Sequence, residues 1–345
     1  MAVFRSFVVT ALLGAASVSA GAADAPGTIT ILEGEAQIFR GMARYVGAEG
    51  VRLAFGDIVE TGDNTFMQIE LGDQSTLQLG GISRVMINGG PGRAKPERWI
   101  YFMNGWAKVS GAKRDPKAEA PYEVRAPLFE LAPNPGVVVL LATPSDVQLF
   151  VERGEVRLTE RQRPGGGSAA VAMKSGDTYR RKVAARGTVA QEATPDFLAK
   201  MPKYFRDTLP SRMDRFRDQD IKPKDAPDFG YADVELWMKA EPAIRRPFVQ
   251  RWKAKAFKDP AFKAGIVANM SSHMEWDPIL FPEKYLPKEP PPTPAAGRDR
   301  RPRLRARDRG PGTVRRSGAT SSPRPRARHW TPFVAGPADG GNLRR

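Results

Sequence analysis

Leu53 to Ile87 reads LAFGDIVETGDNTFMQIELGDQSTLQLGGISRVMI, and its spacing decides the fold. Gly56-Asp57 opens a strand at Ile58-Val59-Glu60, and Thr61 to Asn64 form a turn cluster. Phe66 to Leu71 then alternates at period two, with Phe66, Gln68 and Glu70 on one side and Met67, Ile69 and Leu71 on the other. Gly72 to Ser75 turns again, Thr76 to Leu79 resumes the alternation, and Ser83 to Ile87 fits a further strand. Turn residues at regular intervals between alternating runs predict an all-β module. Alternation predicts one buried and one wet face, with Ile69 inward and Gln68 in water.

The phrase Gly56-Asp57-Ile58-Val59-Glu60-Thr61-Gly62, the alternating strand after it, and Asp73 to Leu79 resemble the FecR domain. Gln74 stands where that family has Gly in a turn that favours a left-handed residue. Tyr122 to Pro127 resembles the family's "f-x-V-x-T-P" step, with Ala126 in place of Thr. The resemblance spans about Gly27 to Lys182, strongest over Leu53 to Ile87. It implies a periplasmic sensing or scaffolding module.

Outward from that stretch the β signals continue. Thr28 to Leu32 and Glu35 to Arg40 read as a strand pair around Glu33-Gly34. Trp99 to Met103 leads into Asn104-Gly105, a strong hairpin signal, and Trp106 to Val109 returns. Val137 to Leu141 and Val147 to Val151 add two more strands. Gly34-Glu35 and Gly56-Asp57 recur as Gly154-Glu155 and Gly176-Asp177, each pair of glycines 22 residues apart. That favours stacked β-hairpins or a β-solenoid-like repeat. Chance is the alternative, since Gly-Glu and Gly-Asp are common turn pairs.

Near Ala193 the period becomes helical. Thr194-Pro195-Asp196 caps a helix expected to carry Phe197, Met201, Tyr204 and Phe205. Tyr231 to Met238 is a second helix. Ile244, Phe248 and Trp252 share one face of a third. Asp259-Pro260 starts a fourth, with Phe262, Ile266 and Met270 in line. Tyr231, Asp233, Val234, Trp237, Arg245, Phe248, Arg251 and His273 to Asp277 resemble a tail found in secreted FecR-like proteins. The expected organisation is therefore a signal peptide at 1–22, a β domain at 27–182, a helical region at 194–287 and a disordered Pro/Arg-rich tail at 288–345.

The N-terminus supports export. Arg5 precedes an apolar run, Phe7 to Leu13, and small residues follow at Val18 to Ala22. A retained membrane anchor is the alternative; no other stretch is apolar enough to span. The chain has no cysteine, so disulfides, thiolate metal sites and a lipidated N-terminal cysteine are excluded. The net charge of +16 is concentrated: residues 297–345 hold 14 Arg, no Lys and 3 Asp. Arg without Lys is what a shifted reading frame or a recent extension would give. The rest of the chain is only mildly basic, so its charge implies no specific nucleic acid partner.

Little points to catalysis. Of the two histidines, His329 falls in the tail, and His273 ends a helix, where an imidazolium can meet the terminal carbonyls. No nucleophile elbow accompanies it. Asp57, Asp63 and Asp73 sit in Gly-containing turns, where Asp is expected for backbone reasons. Gly165-Gly166-Gly167-Ser168 lacks the Lys and helix of a phosphate loop. No catalytic residue, cofactor or metal is expected. Candidate partner-binding residues are Trp99, Tyr101 and Trp106, crowded on one hairpin, and Arg245, Arg246 and Arg251 on a helix. The aromatics can stack on a sugar or peptide, or simply pack the hairpin. The arginines can meet an anionic surface, or form a solvated face.

The expected function is a non-catalytic, periplasmic or secreted FecR-like module that binds an envelope protein or glycan. The alternative is a membrane-tethered regulator in FecR-type signalling to a sigma factor.

Overall fold

The computed structural model describes residues 25–286, apart from 91–96, 113–119, 134 and 162–169. The expected signal segment, the Arg-rich tail with His329, the Gly165 to Ser168 loop and most of the loop after Gly111 lie outside the described residues. The described chain is β-rich, with a few helices near its C-terminal end.

The strands are β1 (Gly27–Glu33), β2 (Ala36–Arg40), β3 (Ala43–Val46), β4 (Ile58–Thr61), β5 (Phe66–Leu71), β6 (Thr76–Leu79), β7 (Arg84–Gly90) and β8 (Glu97–Ser110). They continue as β9 (Glu123–Arg125), β10 (Phe129–Leu131), β11 (Val137–Ala142), β12 (Asp146–Arg153), β13 (Glu155–Glu160), β14 (Ala170–Lys174), β15 (Thr178–Lys182) and β16 (Thr188–Ala190). Helices α1 (Pro195–Lys200) and α2 (Met213–Phe216) precede β17 (Lys224–Asp225). Then come α3 (Tyr231–Met238), α4 (Pro242–Lys258), α5 (Pro260–Ala268) and α6 (Asp277–Leu280).

The strands pair into two layers that share β8. The first runs β1-β5-β6-β8-β11-β12-β15-β16. The second runs β17-β3-β2-β4-β7-β8-β9-β10-β13-β14. Pairing is antiparallel except between β8 and β9, which makes the second layer mixed. Met67, Ile69, Leu77, Leu140 and Leu149 of the first layer share one core with Ile38, Val59, Val85, Phe102 and Leu158 of the second.

Asn104-Gly105 is not a hairpin turn. It is a bend inside β8, where the strand leaves the second layer at Asn104 and joins the first at Gly105. Gly105 takes φ +100, and a Cβ there would lie 2.4 Å from the Cα of Ser83. The local dipeptide favours a turn, but both halves find better partners, β7 for one and β6 and β11 for the other. The Glu33-Gly34 turn is likewise no hairpin: β1 pairs with β5 in the first layer, and β2 with β3 and β4 in the second.

The 22-residue repeat survives as turn chemistry only. Asp57 accepts from the Ala54 amide, and Asp177 from the Lys174 amide. Gly56 and Gly176 both take positive φ. Yet the strand after Asp57 pairs with β2, which follows the Gly34 turn, whereas the strand after Asp177 pairs with β12, which precedes the Gly154 turn.

No face of β5 is wet. Met67, Ile69 and Leu71 point into the core, and Phe66, Gln68 and Glu70 are buried too. The segment after β16 roofs the outer face of the first layer: Phe197, Met201 and Phe205 cluster with Ile31, Phe66 and Val139. Polar residues beneath it bond to one another and to the roof: Gln78 Nε2 donates to Gln68 Oε1 at 3.0 Å, and the Arg212 amide to Glu70 Oε1 at 2.8 Å, while Gln78 Oε1 is left without a partner.

The outer face of the second layer carries a cross-strand row of Phe39, Ile58, Met86 and Tyr101. Helices α3 to α6, with the 3-10 turn that leads into α6, bury that row under Trp237, Phe248, Trp252 and Trp276. α1 has Thr194 as its cap but stops at Lys200, because Pro202 cannot continue it; Tyr204 and Phe205 fall in a separate 3-10 turn. Among the described residues no helix is long and apolar enough to cross a membrane.

Candidate functional site

The chain crosses between the layers at Gly34-Glu35, at Gly62 to Thr65, at Gly80 to Ser83 and at Gly105, and these crossings bond to one another. The Gly62 amide donates to the Glu35 carbonyl at 2.8 Å, and the Ile82 amide to the Gly62 carbonyl at 3.1 Å. Thr61 Oγ1 donates to the Gly80 carbonyl and accepts from the Ser83 amide. Ser83 Oγ accepts from the Trp106 amide at 2.9 Å, and Asn104 Nδ2 donates to the Ile82 carbonyl at 2.9 Å.

This ladder holds two side-chain-bearing residues in left-handed backbone: Asn64 at φ +51 and Ile82 at φ +53. Asn tolerates that region; for a β-branched residue it costs about 1–2 kcal/mol. Ile82 is nevertheless 54% exposed. Strain of this kind persists where the surroundings over-determine it, and it concentrates at functional sites.

Beside the ladder runs an open groove. Asn64, Thr65, Ile82, Trp106, Lys203 and Tyr204 line it. Trp106 leans on Phe197 with ring centroids 5.1 Å apart, and Tyr204 stacks on Phe66 at 4.7 Å. Both rings are thus rigidly backed. The Tyr204 hydroxyl bonds the Glu33 carboxylate, which holds its pKa above the ordinary phenol value. Lys200, Lys203 and Asp63 are exposed around the groove. Two braced aromatic faces among exposed polar groups can bind a ligand that is flat and apolar on one side and rich in hydroxyls or amides on the other. The arrangement offers no nucleophile–base pair.

The structure separates the residues singled out from sequence. Trp106 belongs to this groove. Trp99 and Tyr101 lie on the half of β8 that packs under the helices. Tyr101 is 1% exposed, and its hydroxyl is held protonated well above the ordinary range, chiefly by burial. Trp99 is half-buried, with the Arg125 guanidinium 5.2 Å from its ring. Arg245 pairs with Glu275 at 2.9 Å and donates to the Ala240 carbonyl. Arg251 donates to the Gly56 carbonyl at 2.8 Å, and burial lowers its pKa. Arg246 is exposed, 3.6 Å from Glu275.

His273 is not an exposed helix cap. It is 1% exposed, its Nε2 lies 3.0 Å from the Tyr231 hydroxyl, and burial depresses its pKa, so the ring stays neutral. Asp57 is held by Arg40 at 2.6 Å, and Asp73 accepts from the Ser75 and Tyr122 amides; both do backbone work. Among the described residues no group of three or more His, Cys, Asp or Glu could hold a metal.

Sequence reading missed Asn64, Ile82, Lys203 and Tyr204. Only Pro202 signalled that Tyr204 leaves the helix; nothing local marks Ile82 as left-handed.

No family model and no curated protein matches the chain. Two crystal structures, at 2.50 and 1.65 Å, of "a putative anti-sigma factor from Parabacteroides distasonis ATCC 8503" are similar over part of it. They are 14% and 13% identical, with TM-scores of 0.31 and 0.32. Each match covers 39% of this chain and 59% of the solved chain.

Proposed function

We propose that this protein is an exported, non-catalytic FecR-like module that holds an envelope glycan in the groove between the layer-crossing ladder and the Lys203-Tyr204 turn. The observation that carries the reading is the pair of braced aromatic faces, Trp106 and Tyr204, beside the strained, exposed Ile82. Sugar rings offer an apolar face to an aromatic and hydroxyls to Asn64 and Lys203. The Gly56-Asp57 turn and the strands after it support the FecR-like part, and the leader-like 1–22 segment supports export. The locked state of His273, Asp57 and Asp73 supports a binding rather than a catalytic role.

The test is calorimetric titration of the protein with soluble oligosaccharides released from the envelope. Saturable binding is expected, weakened at least tenfold by Tyr204→Ser. Pulldown of an envelope protein that Tyr204→Ser leaves unchanged would overturn the groove assignment. A mature N-terminus at Met1 would favour the tethered regulator over a free exported protein.

A further inference from the structure

Helix α5 turns an apolar face to water. Its exposed residues are Pro260, Ala261, Ala264, Val267 and Ala268, while Phe262 and Ile266 pack inward. Lys263 is its one charged residue. A surface helix ordinarily puts polar residues on its solvent side, and one that is apolar all round is ordinarily covered. Next to this face α4 presents the stripe Arg246, Gln250, Lys253 and Phe257, each one turn beyond the last and all exposed. Phe257 is 54% exposed and Val267 42%. Lys263 Nζ sits 6.0 Å from the Phe257 ring, which joins the two helices into one surface.

Lysines dominate the charges around it, the acids being Glu275 beside Arg246 at the far end of the stripe and Asp228 and Asp259 beside Lys255. Lys253 and Lys258 stand exposed on α4, and Lys263 reaches over Phe257 from α5. The acid nearest in sequence, Asp259, is occupied with the Ala261 and Phe262 amides and lies 3.8 Å from Lys255. An apolar strip rimmed by lysines is the pattern of an interfacial membrane surface. A second copy of the chain would bring lysine rim against lysine rim, whereas an anionic leaflet complements the rim and accepts Phe257 and Val267 among its acyl chains.

We propose that the α4–α5 face docks on the surface of an anionic phospholipid bilayer, with Phe257 and Val267 entering the headgroup boundary and Lys253, Lys258 and Lys263 meeting lipid phosphates. This site is separate from the groove and does not depend on its ligand.

The chain's lack of cysteine makes the test site-specific in the full-length protein. Phe257→Cys, labelled with a polarity-sensitive fluorophore, is mixed with vesicles of phosphatidylglycerol and phosphatidylcholine, or of phosphatidylcholine alone. Val189→Cys on β16, at the edge of the other layer, is the control. The expected result is a blue shift at 257 with anionic vesicles, none with neutral ones and none at 189. Adding Lys253→Gln, Lys258→Gln and Lys263→Gln should raise the half-saturating lipid concentration by about a hundredfold, as about fivefold for each of three lysines implies. If the protein sediments with anionic vesicles while the label at 257 stays in water, the Arg-rich segment does the binding and the proposal fails. It fails equally if the shift appears without lipid, as self-association would give, or if duplex DNA produces it.

Discussion

Trp237 Nε1 on α3 donates to Glu60 Oε1 on β4 at 2.8 Å, and the same carboxylate meets Arg84 at 3.2 Å. Trp237 is fully buried against the outer row of the second layer, 6.3 Å from Tyr101. Burial pushes Glu60 up, and the indole donor opposes that shift. Trp237→Phe keeps most of the ring but leaves the buried carboxylate short of a donor, at a cost of about 1–3 kcal/mol. Denaturant titration should show a lower midpoint at unchanged slope. An unchanged midpoint would mean that the helices are not fastened to the sheet there.

His273 makes stability depend on pH below neutrality. Its folded pKa lies below the unfolded value near 6.5, first because of burial; Arg245 and Lys239 also lower it, and Glu275 opposes them. As pH falls through about 6.5, the unfolded chain takes up a proton that the folded chain refuses, so stability falls with it. Melting temperature should therefore drop between pH 7 and pH 5.5. His273→Gln keeps a partner for the Tyr231 hydroxyl and removes the titration, so its slope over that window should be flatter. Parallel slopes would sink the assignment.

The strand order of Leu53 to Ile87 was legible because turn residues there coincide with changes of direction. So were the helices at Tyr231, Pro242 and Pro260, where cap and period agree. What failed turned on distant partners: local signals say neither which layer a strand joins nor what covers its outer face. Asn104-Gly105 has hairpin chemistry and is a crossing instead. Gln68 and Glu70 look wet because they are polar, but a roof arriving from residues 194–212 covers them. The groove escaped notice because its walls come from Asn64, Ile82 and Tyr204, far apart in sequence and brought together by those crossings.

The roof makes a testable difference on β5. With water on that face, Ile69→Asp would be severe and Gln68→Asp mild. Gln68 is 1% exposed and lies within 3.4 Å of both Thr30 and Glu70. An aspartate there would lose the amide donors and set a second carboxylate beside Glu70. Both variants should be destabilised by roughly 2–5 kcal/mol, through a buried unpaired charge. A Gln68→Asp protein that melts like the wild type would mean that the roof is not closed in solution.

Two left-handed residues separate strain kept for structure from strain kept for function. Gln74 takes φ +67; its side chain is exposed and its amide donates to the Leu71 carbonyl at 3.0 Å. Ile82 takes φ +53 on the groove wall. Glycine at either position relieves about 1–2 kcal/mol of backbone strain and returns part of it as greater freedom of the unfolded chain. Gln74→Gly and Ile82→Gly should each stabilise by a net of about 0.5–1 kcal/mol, a rise of a few degrees in melting temperature. Their effects on ligand should diverge. Gln74 touches no part of the groove, so glycan affinity should be unchanged in Gln74→Gly. Ile82→Gly removes an apolar side chain from the groove lining and should weaken binding at least fivefold while the protein becomes more stable. A stabilised Ile82→Gly protein with full affinity would show that the strain at Ile82 serves the crossing ladder alone, and the groove would have to be given up as the binding site.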